Sequence, residues 1–169
     1  VQKDGEVYYP LGDVPHWNHN SNQGPPFRDS GTGNNEKIYQ NQNGPGRGPS
    51  YSTVVVTGDV KPPIGVSRRG EDHGSGASYD YSFWRTVAPP GYTCLGDMGN
   101  PSHGPPSMDN MRCVPSECVE TVAGPSQLYN DGGSGAHYDM SIWWTGGRSH
   151  HLFRGGYRHS RDGTFYRLK

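Results

Sequence analysis

The sequence predicts an all-β fold, and three observations carry that prediction. Glycine and proline account for 26 and 15 of the 169 residues, and both are unfavourable inside helices. Hydrophobic residues make up only 30% of the chain, yet aromatic residues make up 11%, although disordered chains contain few aromatics. No segment of ten or more residues reads as a helix. We therefore expect glycine and proline in turns, and tyrosine and tryptophan in much of the core.

Chain length and charge define the broad class of the protein. A chain of 169 residues has the size of one domain. We predict a single β domain over residues 1–169, in which residues 18–50 form an irregular insertion rich in Asn, Gln, Gly and Pro. The net charge of −1 gives no field that would attract nucleic acid. No apolar run is long enough to span a bilayer.

The strongest signal is an internal repeat. Segment 72–84 matches segment 131–143 at nine of thirteen positions, and a shorter copy begins at Asp29. Its Asp-x-Gly-Ser-Gly opening predicts a tight turn, because glycine adopts positive φ and aspartate caps backbone N–H groups. The residues that follow predict a strand over Tyr79–Trp84, with successive side chains on opposite faces. Trp84 and Trp143 are then expected in the core or between sheets.

A second motif repeats as well. Leu11-Gly12-Asp13 resembles Leu95-Gly96-Asp97, and a degenerate third member is predicted within Gly156–Asp162. Two motifs, each present two or three times, predict a pseudo-threefold fold. β-Branched and aromatic content predicts further strands. These are Thr53–Thr57, Tyr92–Leu95 and Met111–Val114.

These motifs resemble those of the vacuolar protein sorting-associated protein 62 family, which is related to a plant domain of unknown function. The pattern is Gly-Ser-Gly-Ala at 74–77, Asp-x-Ser-x-Trp at 80–84, Pro-Pro-Gly-Tyr at 89–92 and Leu-Gly-Asp at 95–97. The resemblance covers residues 54–169 well and the first 50 poorly. It implies a β-prism-like domain with three sheets around a pseudo-threefold axis, and a β-trefoil is the alternative. Such modules bind membranes or glycans, or are appendages of pore-forming proteins.

The candidate ligand-binding residues lie in the two copies of the repeated turn. The resemblance to β-prism lectins implies that a glycine-rich loop and an aspartate hold sugar hydroxyls while an aromatic ring stacks on the sugar. The residues that correspond here are Gly74, Gly76, Tyr79, Asp80, Gly133, Gly135, Tyr138 and Asp139. A structural role is the competing interpretation, in which both aspartates satisfy turn N–H groups and fix the entry into the strand.

The predicted function is recognition without catalysis. The sequence has no Gly-x-Ser-x-Gly elbow, no P-loop and no dinucleotide-binding fingerprint. The expected partner is a glycan or a lipid headgroup at a peripheral membrane contact, with no nucleic acid. The alternative is a structural or assembly protein, such as a homo-oligomer or an appendage of a pore-forming system, in which the repeats only build the fold.

No cofactor is expected, and calcium in the aspartate-containing loops is left open. Asp13 and Asp97 follow Leu-Gly in tight turns, where a structural role is favoured. The three cysteines, Cys94, Cys113 and Cys118, predict one disulfide and one free thiol if the protein is secreted, and three thiols if it is cytosolic. Cys113 and Cys118 flank a short loop that a disulfide could close. A secreted or extracellular location is favoured.

Overall fold

A computed structural model describes residues 2–3, 5–12, 14–17, 36–39, 55–71, 73, 82–100, 102–130, 139–145 and 152–169. Across these residues the chain is all-β, as the sequence predicts, and its only helical elements are two three-residue 3₁₀ turns. Within the same ranges, no helix has the length and apolar character needed to cross a membrane.

The strands are short, as expected for a chain rich in turn-forming residues. Those in the described ranges are β1 Gln2–Lys3, β2 Glu6–Val7, β3 Tyr9–Pro10, β4 Val14–Trp17, β5 Glu36–Tyr39, β6 Val55–Val56, β7 Gly65–Glu71, β8 Ser82–Val87, β9 Tyr92–Thr93, β10 Met98–Asn100, β11 Val114–Pro115, β12 Val119–Thr121, β13 Gln127–Asn130, β14 Met140–Trp144, β15 Phe153–Tyr157 and β16 Tyr166–Leu168. The 3₁₀ turns are Met108–Asn110 and Ser116–Cys118.

All strand pairs are antiparallel, and the two copies of the long repeat form two similar sheets. One sheet has the order β10-β8-β7 and the other the order β13-β14-β15. The remaining strands form the pairs β1-β2, β3-β6, β4-β5, β9-β11 and β12-β16. Strand β5 belongs to the predicted insertion 18–50, most of which lies outside the described residues. The shorter copy of the repeat at Asp29 falls between the paired strands β4 and β5.

The predicted strands are confirmed only in part. Strand β6 lies inside Thr53–Thr57, and β9 covers the first two residues of the predicted strand Tyr92–Leu95 and ends there. The prediction Met111–Val114 is mostly wrong, because strand β11 begins at its last residue and continues one residue further. Strand β8 begins at Ser82 and extends to Val87, whereas residues 79–81 of the prediction lie outside the described ranges.

Three leucines from distant parts of the chain meet in the core. Leu11, Leu95 and Leu152 are fully buried in one cluster. The Leu-Gly copies are in direct contact there, because the N–H of Gly96 donates to the carbonyl oxygen of Leu11 at 3.1 Å. A Cβ placed on Gly12 would lie 2.8 Å from the Cα of Gly96. The second motif therefore requires its glycines for a close backbone approach.

The core is built largely from aliphatic residues. Among the residues whose burial the structure describes, leucine, methionine, phenylalanine and valine supply most of the buried apolar side chains, and neither tyrosine nor tryptophan is among them. Trp84 and Trp143 are half-buried, whereas Phe83 and Ile142 are buried. The predicted core position of the two tryptophans is therefore wrong, because neighbouring residues of a strand point to opposite faces and the buried aromatic or aliphatic residue is the one beside each tryptophan. Their predicted position between sheets stays a prediction.

Candidate functional site

Two equivalent hairpins frame the repeated loops. Glu71 pairs with Ser82 at the loop end of β7 and β8, and Asn130 pairs with Ser141 at the loop end of β13 and β14. These pairs are related by the same offset as the sequence repeat. Both copies of the Gly-Ser-Gly-Ala turn therefore connect antiparallel strands at matching positions of two similar sheets.

Of the eight predicted ligand-binding residues, the structure describes Asp139. It is exposed and precedes β14, and its backbone carbonyl accepts the N–H of Arg158 at 2.9 Å. The other seven lie outside the described ranges. They are Gly74, Gly76, Tyr79, Asp80, Gly133, Gly135 and Tyr138.

A serine–tryptophan contact lies within the strand that follows each loop. The indole N–H of Trp84 donates to Oγ of Ser82 at 2.9 Å, and that of Trp143 donates to Oγ of Ser141 at 2.8 Å. Each serine hydroxyl also donates to a main-chain carbonyl, that of Ser102 or that of Ser160. The Ser-x-Trp part of the repeat is thus used to build the fold.

A threonine forms the next equivalent contact. Oγ of Thr86 donates to the carbonyl of Gly96 at 3.3 Å, and Oγ of Thr145 donates to the carbonyl of Leu152 at 3.2 Å. Leu152 therefore occupies the place that Gly96 occupies in the first sheet. The degenerate third member of the second motif, predicted within Gly156–Asp162, stays a prediction.

A buried ion pair joins the two sheets. The carboxylate of Asp97 accepts from Nε of Arg85 at 2.7 Å and from the backbone N–H of Gly155 at 2.7 Å. Arg85 also donates to the carbonyl of Gly155 at 2.6 Å and to that of Asp162 at 3.2 Å. Both side chains are buried, and both backbone groups of Gly155 are bound. The structural role favoured for Asp97 is confirmed, whereas Asp13 lies outside the described residues.

A second arginine lies beside this pair. Nε of Arg154 is 3.9 Å from Oδ1 of Asp97, and its guanidinium group lies 5.2 Å from the ring centroid of Phe165. The guanidinium also donates to the carbonyl of Thr164. Burial lowers the pKa of Arg154 to about 10, while the charge of Asp97 acts in the opposite direction. Arg154 therefore remains charged at neutral pH. Both Arg154 and Arg85 interact with the buried carboxylate of Asp97.

The ring of Phe83 packs between two glycines. A Cβ on Gly155 would lie 2.2 Å from Cδ2 and Cε2 of Phe83, and a Cβ on Gly70 would lie 2.3 Å from its Cζ. Phe83 is fully buried. Strand β8 thus approaches β15 closely enough that no larger residue fits at these two places without movement.

The histidines provide no metal centre in the described part of the chain. His73 and His103 form an edge-on ring pair with centroids 5.6 Å apart. No group of three or more His, Cys, Asp or Glu side chains with metal-binding spacing occurs in that part of the chain. The expectation that the protein has no cofactor stays a prediction.

The cysteines form one disulfide and leave one free thiol in an exposed turn. Cys94 is bonded to Cys113, and Cys118 is free. The bridge considered between Cys113 and Cys118 is therefore wrong. The physical reason is the pairing of β9 with β11, which sets Thr93 opposite Val114 and so brings the neighbouring cysteines together. Sequence proximity gave no sign of this pairing.

The first sheet has an apolar end that the sequence did not predict. Ile64 is 62% exposed and Val87 is 45% exposed, and the N–H of Ile64 donates to the carbonyl of Val87 at 2.9 Å. Pro62 and Pro90 beside them are also exposed. We call these four residues the apolar end. Its sequence signal is a Pro-Pro dipeptide near each of the two aliphatic residues, at positions 62–63 before Ile64 and 89–90 after Val87.

The solved structure of GNIP1Aa from Chromobacterium piscinae is similar to this chain, with a TM-score of 0.57 and 25% sequence identity. The similarity covers 92% of this chain and 27% of GNIP1Aa. This chain therefore corresponds to a minor part of that protein. No family model and no curated protein matches the chain, so the resemblance to the vacuolar protein sorting-associated protein 62 family stays a prediction.

Proposed function

We propose that this chain is a non-catalytic recognition module that binds glycans or membrane surfaces through its repeated loops. One observation carries the proposal. Two equivalent hairpins enclose loops 72–81 and 131–139, which differ in length by one residue and share their Gly, Tyr and Asp positions. Two like binding loops on one domain would allow bivalent attachment, which raises affinity without any new kind of contact.

The described side-chain contacts of the repeat involve its serine and tryptophan residues and the threonine that follows. These side chains of β8 and β14 bond to one another or to main-chain carbonyls. Asp139 is exposed, and an exposed carboxylate next to a glycine-rich turn can accept hydrogen bonds from sugar hydroxyls. Within the repeat, we therefore favour a structural role for Ser and Trp and a binding role for Tyr and Asp.

We further propose a β-prism-like arrangement with pseudo-threefold symmetry, with the β-trefoil as the alternative. Three hairpins support it, since β4–β5, β7–β8 and β13–β14 each flank one copy of the Asp-x-Gly-x-Gly turn. The core supports it too, because Leu11, Leu95 and Leu152 come from three separate segments and meet in one cluster.

The similarity to GNIP1Aa supports a modular role. A fold that covers 92% of this chain is contained within 27% of a longer protein. We propose that this chain serves as the recognition part of a larger assembly.

A glycan array tests the proposal, using wild type, the double variant Asp80→Ala/Asp139→Ala and the control Asp109→Ala. Asp109 is exposed in a 3₁₀ turn outside the repeated loops. The double variant should lose binding by about tenfold or more, since each carboxylate would supply charge-assisted hydrogen bonds, while the control keeps it. Full binding by a double variant that melts like wild type would exclude these two aspartates as the site.

Flotation with liposomes, with and without calcium, tests the membrane alternative and the calcium question together. Binding that requires calcium would add an ion to the site. If neither glycans nor liposomes bind, and light scattering shows a defined oligomer, the assembly function replaces the recognition function.

A further inference from the structure

We propose that the apolar end is a second contact site, which inserts into the headgroup region of a phospholipid bilayer. It lies at the end of hairpin β7–β8 opposite loop 72–81, so about 20 Å of strand separates the two at roughly 3.3 Å per residue. The site goes beyond the proposed function, because it uses none of the residues of the repeated loops.

The exposure of this end favours an apolar environment. Ile64 and Val87 are two of the three exposed large hydrophobic residues of the described ranges, and they lie side by side. The third, Val7, is 41% exposed and belongs to the β1–β2 pair. Transfer of exposed aliphatic side chains out of water is favourable in proportion to the area removed.

The backbone of the apolar end leaves few N–H groups to satisfy on contact with lipid. An unpaired backbone N–H is costly when it is removed from water. Pro62 and Pro90 have no N–H group, and the N–H of Ile64 donates to the carbonyl of Val87 at 2.9 Å. Three of the four residues of the apolar end therefore present no unpaired N–H group.

A cation next to this end complements lipid phosphates. Nζ of Lys61 lies 4.7 Å from the ring centroid of Tyr92, and Lys61 has no ion pair with the described acidic residues. The hydroxyl of Tyr92 donates to the carboxylate of Asp59 at 2.5 Å, which holds the ring in place while Asp59 keeps its negative charge. Lysine and tyrosine are suited to the bilayer interface, where an apolar stem or ring meets a polar tip.

The end is also rigid. Lys61 and Cys113 exchange backbone hydrogen bonds of 3.1 and 2.7 Å, and the N–H of Ser116 donates to the carbonyl of Gly91 at 3.0 Å. The disulfide from Cys94 to Cys113 links the same region. A preformed apolar tip loses little conformational entropy on binding, so more of the burial free energy remains for association.

Vesicle sedimentation tests the proposal, with phosphatidylcholine vesicles that contain phosphatidylserine. The double variant Ile64→Ser/Val87→Ser should lower the partition coefficient by about tenfold or more, since two anchoring side chains are lost. The control Val7→Ser, with similar exposure on another strand pair, should leave it unchanged. Lys61→Gln should lower binding to these vesicles by about fivefold and have no effect with phosphatidylcholine alone.

Three outcomes would overturn the proposal. The first is that wild type does not sediment with the vesicles. The second is that Ile64→Ser/Val87→Ser binds as well as wild type while Asp80→Ala/Asp139→Ala does not, which would place lipid binding in the repeated loops. The third is that the fluorescence of an Ile64→Trp variant is not quenched by brominated lipids. Intact vesicle binding by the aspartate variant supports a lipid site that is independent of the loops.

Discussion

The sheets β10-β8-β7 and β13-β14-β15 are built from the same repeat, and one of their differences lies at the positions of Arg85 and Asp97. Both have the serine–tryptophan and threonine contacts. Where the first has Arg85 bonded to Asp97, the second has Trp144 in register with Phe153. One copy of the frame thus carries a buried ion pair and the other carries two aromatic residues.

This difference shows how one sequence repeat can form two unlike sheets that contact each other. The ion pair of the first sheet needs donors and acceptors beyond itself, and the backbone of Gly155 in the second sheet supplies one of each. The buried charges of Arg85 and Asp97 therefore have partners in both sheets, which matters because burial of charge without partners is costly.

The largest effect is expected when the carboxylate is removed. Asp97→Asn leaves Arg85 and Arg154 without a counter-charge in a buried place, and the free energy of unfolding should fall by about 4 kcal/mol. Urea denaturation measures this. The control is Glu120→Gln, which removes the 2.9 Å ion pair with Arg167 between half-exposed side chains and should cost about 0.5 kcal/mol. Equal losses in the two variants would show that the buried pair has no special role.

The next effect concerns the disulfide, which crosslinks the region next to the first sheet. Cys94→Ser/Cys113→Ser removes a bond that spans 19 positions, and the free energy of unfolding should fall by about 3 kcal/mol because the unfolded chain gains entropy. Thermal melting with and without a reductant checks this. A Cys118→Ser variant should melt like wild type, since its thiol is free, and a large shift there would contradict the pairing.

A smaller effect is expected at the glycine that receives Phe83. Gly155→Ala forces the ring of Phe83 or the strand to move, which should cost about 2 kcal/mol. Gly65→Ala is the matched control, because a Cβ there would lie 3.8 Å from Val87 in ordinary contact. Chemical denaturation of both variants distinguishes overpacking from a general effect of alanine in a strand. A Gly155→Ala protein as stable as the Gly65→Ala protein would refute the close approach.

The smallest effects should be equal in the two sheets. Ser82→Ala and Ser141→Ala each leave an indole N–H without its acceptor, and each should cost about 1 kcal/mol. Because the two serines lie in different sheets and share no partner, the double variant should lose the sum. If Ser82→Ala lowered the free energy of unfolding and Ser141→Ala left it unchanged, the two hairpins would not be equivalent.

The sequence was sufficient to predict the all-β class and the repeated hairpins, because tight-turn glycines followed by alternating residues specify that unit locally. It could not show which face of β8 points inward, since alternation assigns two faces without ranking them. Phe83 is inward because Gly70 and Gly155 leave room for its ring, and those glycines are distant in sequence. The same distance concealed the partnership of Arg85 with Asp97 and Gly155.

The candidate sites were predictable to different degrees. The repeated loops were identified from their own residues, although Asp139 is the one predicted ligand-binding residue that the structure describes. The apolar end could not be found in this way, because Ile64 and Val87 look like ordinary strand residues until their exposure is known.

The contact between Gly12 and Gly96 has a consequence for folding. Leu11, Leu95 and Leu152 can pack only after segments far apart in the chain have come together, and β12 must wait for β16 before it pairs. Such non-local pairing slows folding to roughly the millisecond-to-second range. A nascent chain would therefore hold its core leucines exposed until most of it had been synthesised, and chaperone binding during translation should protect it from aggregation.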